Sequence, residues 1–177
     1  MSNKSALDKG FKKAKEVIFG HLFDQSIAFS DILISHAIDS YRSKIGPFTG
    51  NTITSYACGL YMDGVLTDIK VSSRSMKDPV HIKIKKGESL FLANPYSGHP
   101  RRIRGMAEIV LGDEGLESSI NFLSNYYTPK IKKGIEIVMS TGTEYSVYQE
   151  KVWKANFLTD TYIKAKKEKL NSFKPLP

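Results

Sequence analysis

The sequence predicts an α+β fold with a long N-terminal helix, a mostly antiparallel sheet and a C-terminal helix. Three observations predict it. Apolar residues recur at helical spacing near both ends of the chain, runs of β-forming residues lie between them, and an Asp-Gly pair joins two of these runs. The length of 177 residues is typical of one domain, so we expect residues 1–177 to form a single α+β domain.

The first element is predicted to be a helix over residues 5–44. Gly20 is a point at which this helix could bend or break, and Gly46 followed by Pro47 ends it. Residues 17–29 are apolar on more than one side, so we expect the helix to need more than one packing partner, in the same fold or on another subunit. The apolar residues that recur at spacings of three and four are Leu7, Phe11, Ala14, Ile18 and Leu22, followed by Phe29, Leu33, Ala37 and Tyr41.

A β-hairpin is predicted around Asp63-Gly64, which joins the β-forming runs 56–61 and 65–71. Aspartate-glycine favours the primed turns, whose central residues need positive φ. Segment 72–115 is rich in basic and turn-forming residues, and we expect it to be a basic, loop-rich excursion from the domain. Further strands are predicted at 81–85, 89–93, 106–111 and 135–139, and further helices at 116–126, 145–150 and 155–170.

Several protein classes are disfavoured by the sequence. The chain has no run of eighteen apolar residues and no N-terminal apolar core with a cleavage site, so we predict no transmembrane helix and no secretory signal. The single cysteine, Cys58, has no partner for an internal disulfide and is expected to be a small buried residue. A cytoplasmic compartment fits this cysteine usage.

No catalytic, cofactor or metal site can be assigned from the sequence. His21 and His36 have no second ligand at the spacing of a metal pair, and His99 lies in a predicted loop beside Arg101 and Arg102. The motifs of serine hydrolases, phosphate-binding loops and dinucleotide sites are missing, and acidic residues are scattered singly. The sequence therefore predicts a protein that is not an enzyme and needs no cofactor.

The charge of the chain is unbalanced. It has 26 Lys and Arg against 18 Asp and Glu, a net charge of +8. The surplus is concentrated in residues 70–104 and 151–174, where aromatic residues do not alternate with basic ones as in single-strand binders. Three interpretations stay open: a solvated face that favours solubility, an interface with an acidic protein, and contact with the DNA backbone.

Two short segments resemble a known family. Residues 47–55 read PFTGNTITS after the long helix, residues 142–150 read GTEYSVYQE after a strand, and Phe157-Leu158 opens the last helix. This order resembles the head–tail joining, or tail-completion, proteins of tailed bacteriophages, in which a P-x-T-G-x-L-x-x-S segment follows the first helix and a Y-A-x-x-V-E segment precedes the last. The chain departs from that pattern at Thr52 and at residues 151–153, which read KVW.

The resemblance implies a structural virion protein without an active site. Such a protein would be a neck, tail-completion or tail-hub subunit of a closed ring, sixfold or twelvefold, assembled in the host cytoplasm between portal-side and tail-side partners around the DNA channel. Contact with the DNA backbone is an additional expectation, and no membrane partner is expected. The candidate interface residues are Arg101, Arg102 and Arg104, whose guanidinium groups suit acidic partners, and the aromatic residues Tyr145, Tyr148 and Trp153.

Two alternatives come from other classes. A small nucleic-acid-binding accessory protein would use the same basic surface, and its DNA binding would weaken steeply with salt. A small hydrolase with a site that matches no motif is the other alternative.

Overall fold

The structure, a computed structural model, describes residues 3–44, 51–72, 80–92, 101–104, 107–111, 113–143, 146–151, 154 and 156–172. The fold is α+β, with a long N-terminal helix, an antiparallel sheet and a C-terminal helix, as the sequence predicts. The described part of the chain contains five α-helices, one π-helical turn and seven strands.

Helix α1 (Asn3–Lys44) has 42 residues and runs through Gly20 without interruption. At about 1.5 Å per residue it is roughly 63 Å long, about twice the diameter of a small domain. Its second half packs on the sheet through Phe29, Leu33, Ile34, Ala37 and Tyr41. Residues 5–18 of the first half are exposed.

A three-stranded antiparallel sheet lies beneath this second half of α1. Its strand order is β2 (Val65–Val71), β1 (Tyr56–Met62), β7 (Ile135–Thr141). The predicted hairpin joins β1 to β2 through Asp63 and Gly64, whose φ angles of 48° and 84° are those of a primed turn. The central strand β1 is buried on both faces from Tyr56 to Tyr61 because helices cover the sheet on each side.

The predicted excursion contains four strands that pair only with one another among the described residues. Strand β3 (Val80–Ile84) pairs with β6 (Ala107–Leu111), and β4 (Ser89–Leu92) pairs with β5 (Arg101–Arg104). The pairs are nested, so we call residues 80–111 the ribbon. A turn interrupts its outgoing arm at Lys85–Glu88, where Gly87 has a φ of 88°. The sequence predicts β3, β4 and β6. It does not predict β5, because the three arginines of this strand give no apolar alternation.

The remaining helices close the two cores. α2 (Asn51–Thr54) precedes β1, and α3 (Glu114–Asn121) continues into the π-helical turn Phe122–Tyr126, which together match the helix predicted at 116–126. α4 (Ser146–Lys151) and α5 (Phe157–Ser172) follow β7. One core lies between α1, α5 and the sheet, and a smaller one lies under α3 on the opposite face.

Candidate interaction surfaces

Residues 51–55 of the first of the two segments that resemble the phage family form a buried polar junction with α3 and β7, and the second segment begins beside it at Gly142. The amide oxygen of Asn51 in α2 accepts a hydrogen bond from the backbone N–H of Gly115 at 2.8 Å. The hydroxyl of Ser119 donates to the carbonyl of Ser55 at 2.5 Å, and the hydroxyls of Ser55 and Thr141 are 2.6 Å apart. These buried polar groups are satisfied by one another, so this junction joins α2, α3 and β7.

Two glycines allow this junction to close. A Cβ atom added at Gly142 would lie 2.2 Å from the carbonyl oxygen of Gly115 and 2.6 Å from the Cβ of Ser118. A Cβ atom added at Gly115 would lie 2.8 Å from the amide oxygen of Asn51. Both separations are below van der Waals contact, so the first residue of the segment 142–150 must be glycine for α3 to pack against β7.

Glu150, the last residue of the second segment, caps the final helix. Its carboxylate accepts hydrogen bonds from the backbone N–H of Leu158 at 2.5 Å and from the hydroxyl of Thr159 at 3.2 Å. A carboxylate at a helix N-terminus satisfies an orphan donor and suits the helix dipole. The neighbouring Phe157 is fully buried, with its ring 5.5 Å from that of Tyr41 and 6.0 Å from that of Tyr56. Glu150 caps α5 and Phe157 packs it against α1 and β1, so these two residues hold the helix in place.

Of the predicted interface residues, Arg102 is the one whose side chain the structure describes. It is exposed on β5, its guanidinium lies 5.5 Å from the ring centre of Phe91, and it donates to the hydroxyl of Ser89 at 3.0 Å. Phe91 pairs with Arg102 directly across the ribbon and is 62% exposed. The sequence separates these residues by ten positions, so only the strand register reveals the pair.

The other five predicted residues are located only in part. Arg101 and Arg104 lie on β5 opposite Leu92 and Ser89, but their side chains lie outside the described residues. Tyr148 lies in α4, and its side chain is likewise outside them. Tyr145 and Trp153 fall outside the described residues altogether.

The ribbon has one basic face. Along β3 and β4 the exposed residues alternate with half-buried or buried ones, and the turn between these strands is exposed. The apolar positions on the other face are Ile82, Ile84 and Leu90. The exposed residues of this face and of the turn are His81, Lys83, Lys85, Lys86, Gly87, Glu88, Ser89 and Phe91. The described part of the ribbon therefore presents three lysines against one glutamate, together with the ring of Phe91, to any partner that approaches it.

The first half of α1 is a second exposed surface, which the sequence placed on a helix without deciding what covers it. Leu7 is 61% exposed and Phe11 is 73% exposed, and Val17, Ile18 and Leu22 are exposed too. Isolated exposed apolar residues are ordinary, but a continuous stripe of them on one helix marks an interaction site. We call these five residues the apolar stripe.

An apolar groove lies between α1, β7 and α5. It encloses about 420 Å³ and is lined mainly by Phe29, Leu33, Ile137, Met139 and Leu158. Its only ionisable lining groups are Tyr162 and Lys166, on the outer side of α5. A groove of this composition offers apolar contact area and no arrangement of acid and base for catalysis.

The perturbed titratable groups have structural explanations. Burial raises the pKa of the Cys58 thiol to about 12, with a further contribution from the charge of Asp31, so the cysteine is inert. Tyr127 donates a hydrogen bond to Glu136 at 2.5 Å, and this bond is the main cause that raises the pKa of Tyr127 to about 12 and lowers the pKa of Glu136. Glu136 also accepts the backbone N–H groups of Lys130 and Ile131, both at 2.9 Å, and so fixes the loop before β7.

The described residues contain no cluster of three or more His, Cys, Asp or Glu side chains that could hold a metal ion. By length and composition alone, α1 could cross a membrane over residues within Ser5–Ser43, a test that the core helix of a soluble protein also passes. Two aspartates, Asp24 and Asp31, interrupt its most apolar stretch, and charges are costly in a bilayer. That the chain has no membrane partner stays a prediction.

Comparison with known proteins does not extend these observations. No family model, no curated protein and no solved structure matches this chain.

Proposed function

We propose that this chain is a structural virion protein of a tailed phage, a ring-forming neck, tail-completion or tail-hub subunit that joins head and tail around the DNA channel. The observation that carries the proposal is the ribbon, residues 80–111. Its strands form no hydrogen-bonded ladder with the three-stranded sheet, and its basic face is exposed.

A two-stranded ribbon is marginally stable in water unless something packs on it. Among its described side chains, His81, Lys83 and Phe91 are exposed, so a neighbouring subunit or ring that packs on them would supply this stability. Closed rings need heterologous contacts, in which an arm of one subunit reaches a different surface of the next. A long β-arm with a cationic face and an aromatic anchor at Phe91 suits this task.

The two family-like segments support the proposal in a different way. Asn51, Ser55 and Gly142 build the polar junction, and Glu150 caps α5. Each segment thus performs a structural task that depends on residue identity, and neither task needs a catalytic centre.

The proposal is tested by imaging the full chain by negative stain and weighing it by mass photometry, alone and mixed with portal and tail proteins of the same virion. We expect rings, alone or on these partners. Arg102→Glu should prevent or weaken ring formation, because it reverses the charge beside Phe91 and removes the cation–π pair. The matched control is Lys133→Glu, an equal charge change at an exposed position in the loop before β7.

One result would contradict the ring, and another would contradict the part that the ribbon plays in it. One is a chain that stays monomeric and binds neither portal nor tail proteins. The other is an Arg102→Glu variant that assembles as well as Lys133→Glu, which would remove the ribbon from the contact. A gene position between capsid or portal genes and tail genes is expected as well.

A second candidate function, a nucleic-acid-binding accessory protein, is favoured by the same exposed lysines of the ribbon, Lys83, Lys85 and Lys86. A protein that binds through phosphates loses affinity steeply as salt rises, because condensed counterions are released. Steeply salt-dependent DNA retention by a monomer would support this candidate against the ring.

A further inference from the structure

We propose that the first half of α1, residues 5–22, docks on the outer face of the second half of α1 in a neighbouring copy of the chain. This deepens the proposed ring function and rests on it: the ribbon would be one contact arm and the helix a second. The occupant of the apolar stripe is therefore another molecule of the same protein.

The apolar stripe repeats along α1 with a period of eleven residues. Leu7, Ile18 and Phe29 form one row, and Phe11, Leu22 and Leu33 form the next. Eleven residues make just over three helical turns, so each row stays on one side of the helix. The last member of each row, Phe29 or Leu33, is buried in the core, whereas the earlier members are exposed. The first half of α1 thus carries the same kind of apolar surface that the second half buries.

The first half of α1 is poorly suited to stand alone. Its first turn contains no acidic residue to complement the helix dipole, and four lysines, Lys9, Lys12, Lys13 and Lys15, repel one another in the turns that follow. Gly10 adds about 1 kcal/mol of helix-propensity cost relative to alanine. Among the described residues, apart from the backbone of the helix itself, no atom lies within 4 Å of a Cβ added there. A partner that supplies negative charge and apolar contact would neutralise these lysines and offset the cost of the helix propensity of Gly10.

The second half of α1 supplies that chemistry on its outer face. Between residues 23 and 40 the charged residues are Asp24, Asp31 and Asp39, with no lysine or arginine among them, and all three are exposed. Between them lie the exposed small or apolar residues Ala28 and Ile32. Residues 5–22 carry four lysines against Asp8 and Glu16, so the two halves of the helix have opposite net charge.

The size of the surface fits a subunit contact. The five exposed side chains of the apolar stripe leave on the order of 500 Å² of apolar surface open, at the upper end of the largest patch on a typical monomer. A standard interface buries about 800 Å² per partner, so the stripe and its flanking lysines supply most of one side. When the basic half of one copy docks on the acidic half of the next and leaves its own acidic half for a third copy, the contact is heterologous and repeats from copy to copy, which is what a ring needs. An antiparallel pair that used both halves of each helix at once would instead be a closed dimer.

Charge reversal provides a test that uses the full chain. Lys12 and Lys13 are changed to Glu in one variant, and Asp24 and Asp31 are changed to Lys in a second. All four positions are exposed, so both variants should fold. Each alone should self-associate about tenfold more weakly in sedimentation velocity, because it places like charges across the contact. Changing Lys132 and Lys133 to Glu is the matched control and should leave association unchanged.

An equimolar mixture of the two variants should regain association. The acidic first half of the first variant would then face the basic second half of the second variant. The unchanged basic first half of the second variant would face the unchanged acidic second half of the first. Both contacts are attractive. In a contact between two first halves, the variant changed at Asp24 and Asp31 would instead associate like the wild type, because both positions lie outside residues 5–22. The proposal is overturned if the first two variants associate like the control, if their mixture does not recover, or if the wild-type chain stays monomeric at the highest concentration reached. It is also overturned if the wild-type chain floats with anionic phospholipid vesicles through residues 5–22 and does not self-associate.

The outcomes separate this inference from the proposed function. Rings that form despite charge reversal would leave the virion role in place and remove α1 from the contact. Charge-dependent self-association that recovers on mixing, together with failure to bind portal or tail proteins, would keep the contact and remove the virion role.

Discussion

Phe157 should be the residue on which the docking of the C-terminal helix depends most. Its ring is fully buried and lies edge-on to Tyr41 and Tyr56, so Phe157→Ala removes contacts with both α1 and β1 at once. The ring beyond Cβ accounts for roughly 140 Å² of buried apolar area, which at about 25 cal/mol per Å² is worth about 3.5 kcal/mol. Loss of the two edge contacts adds about 1 kcal/mol to the destabilisation, and the better helix propensity of alanine reduces it by about 0.5 kcal/mol.

We therefore expect Phe157→Ala to lower the free energy of unfolding by about 4 kcal/mol, within the range seen for such core truncations. With a urea dependence of about 2 kcal/mol per M, the midpoint should fall by about 2 M. Coincident transitions by circular dichroism and intrinsic fluorescence check that unfolding is two-state. Phe157→Leu, a milder change, keeps the test usable if the alanine variant does not fold.

The matched control lies on the same helix. Tyr162 is 67% exposed, so Tyr162→Ala should change the free energy of unfolding by no more than about 0.5 kcal/mol. The reasoning is refuted if Phe157→Ala costs less than about 1 kcal/mol, or if the two alanine variants shift the midpoint equally. Either result would mean that α5 is not held to the body by this ring.

Two further predictions concern the junction and the loop before β7. Gly142→Ala should destabilise the fold by about 1–3 kcal/mol in urea unfolding, because the added Cβ would lie 2.2 Å from a backbone carbonyl oxygen. Gly20→Ala, in open space on an exposed stretch of helix, should be neutral or stabilising, and equal effects would contradict the close approach. The raised pKa of Tyr127, about 12 against an ordinary 10.0, should contribute stability that is complete below pH 10 and lost as the pH rises toward 12. The lowered pKa of Glu136 contributes stability that is present at neutral pH and lost as the pH falls through the acid range. In a series of melts against pH, Tyr127→Phe should flatten the alkaline loss, and a wild-type curve already flat there would argue against the hydrogen bond.

Local signals in the sequence account for much of the fold. The apolar periodicity of residues 5–44 indicates helix, since helical spacing is a property of neighbouring residues. The Asp63-Gly64 pair indicates the turn between β1 and β2, because its positive φ values are a local requirement. The β5 strand was missed because its three arginines carry no apolar alternation, and its partner β4 alone gives it a register.

The candidate interaction surfaces, like the fold, could be predicted from the sequence only in part. The sequence by itself determined that the basic surplus lies in residues 70–104, which overlap the ribbon, and in residues 151–174. It also predicted that α1 needs more than one packing partner. Only the tertiary structure decided that residues 5–18 of α1 are exposed, that Phe91 lies beside Arg102, and that Glu150 caps α5. The physical reason is range: helical spacing and turn geometry act over a few residues, whereas burial and cross-strand pairing depend on residues that the chain brings together from far apart.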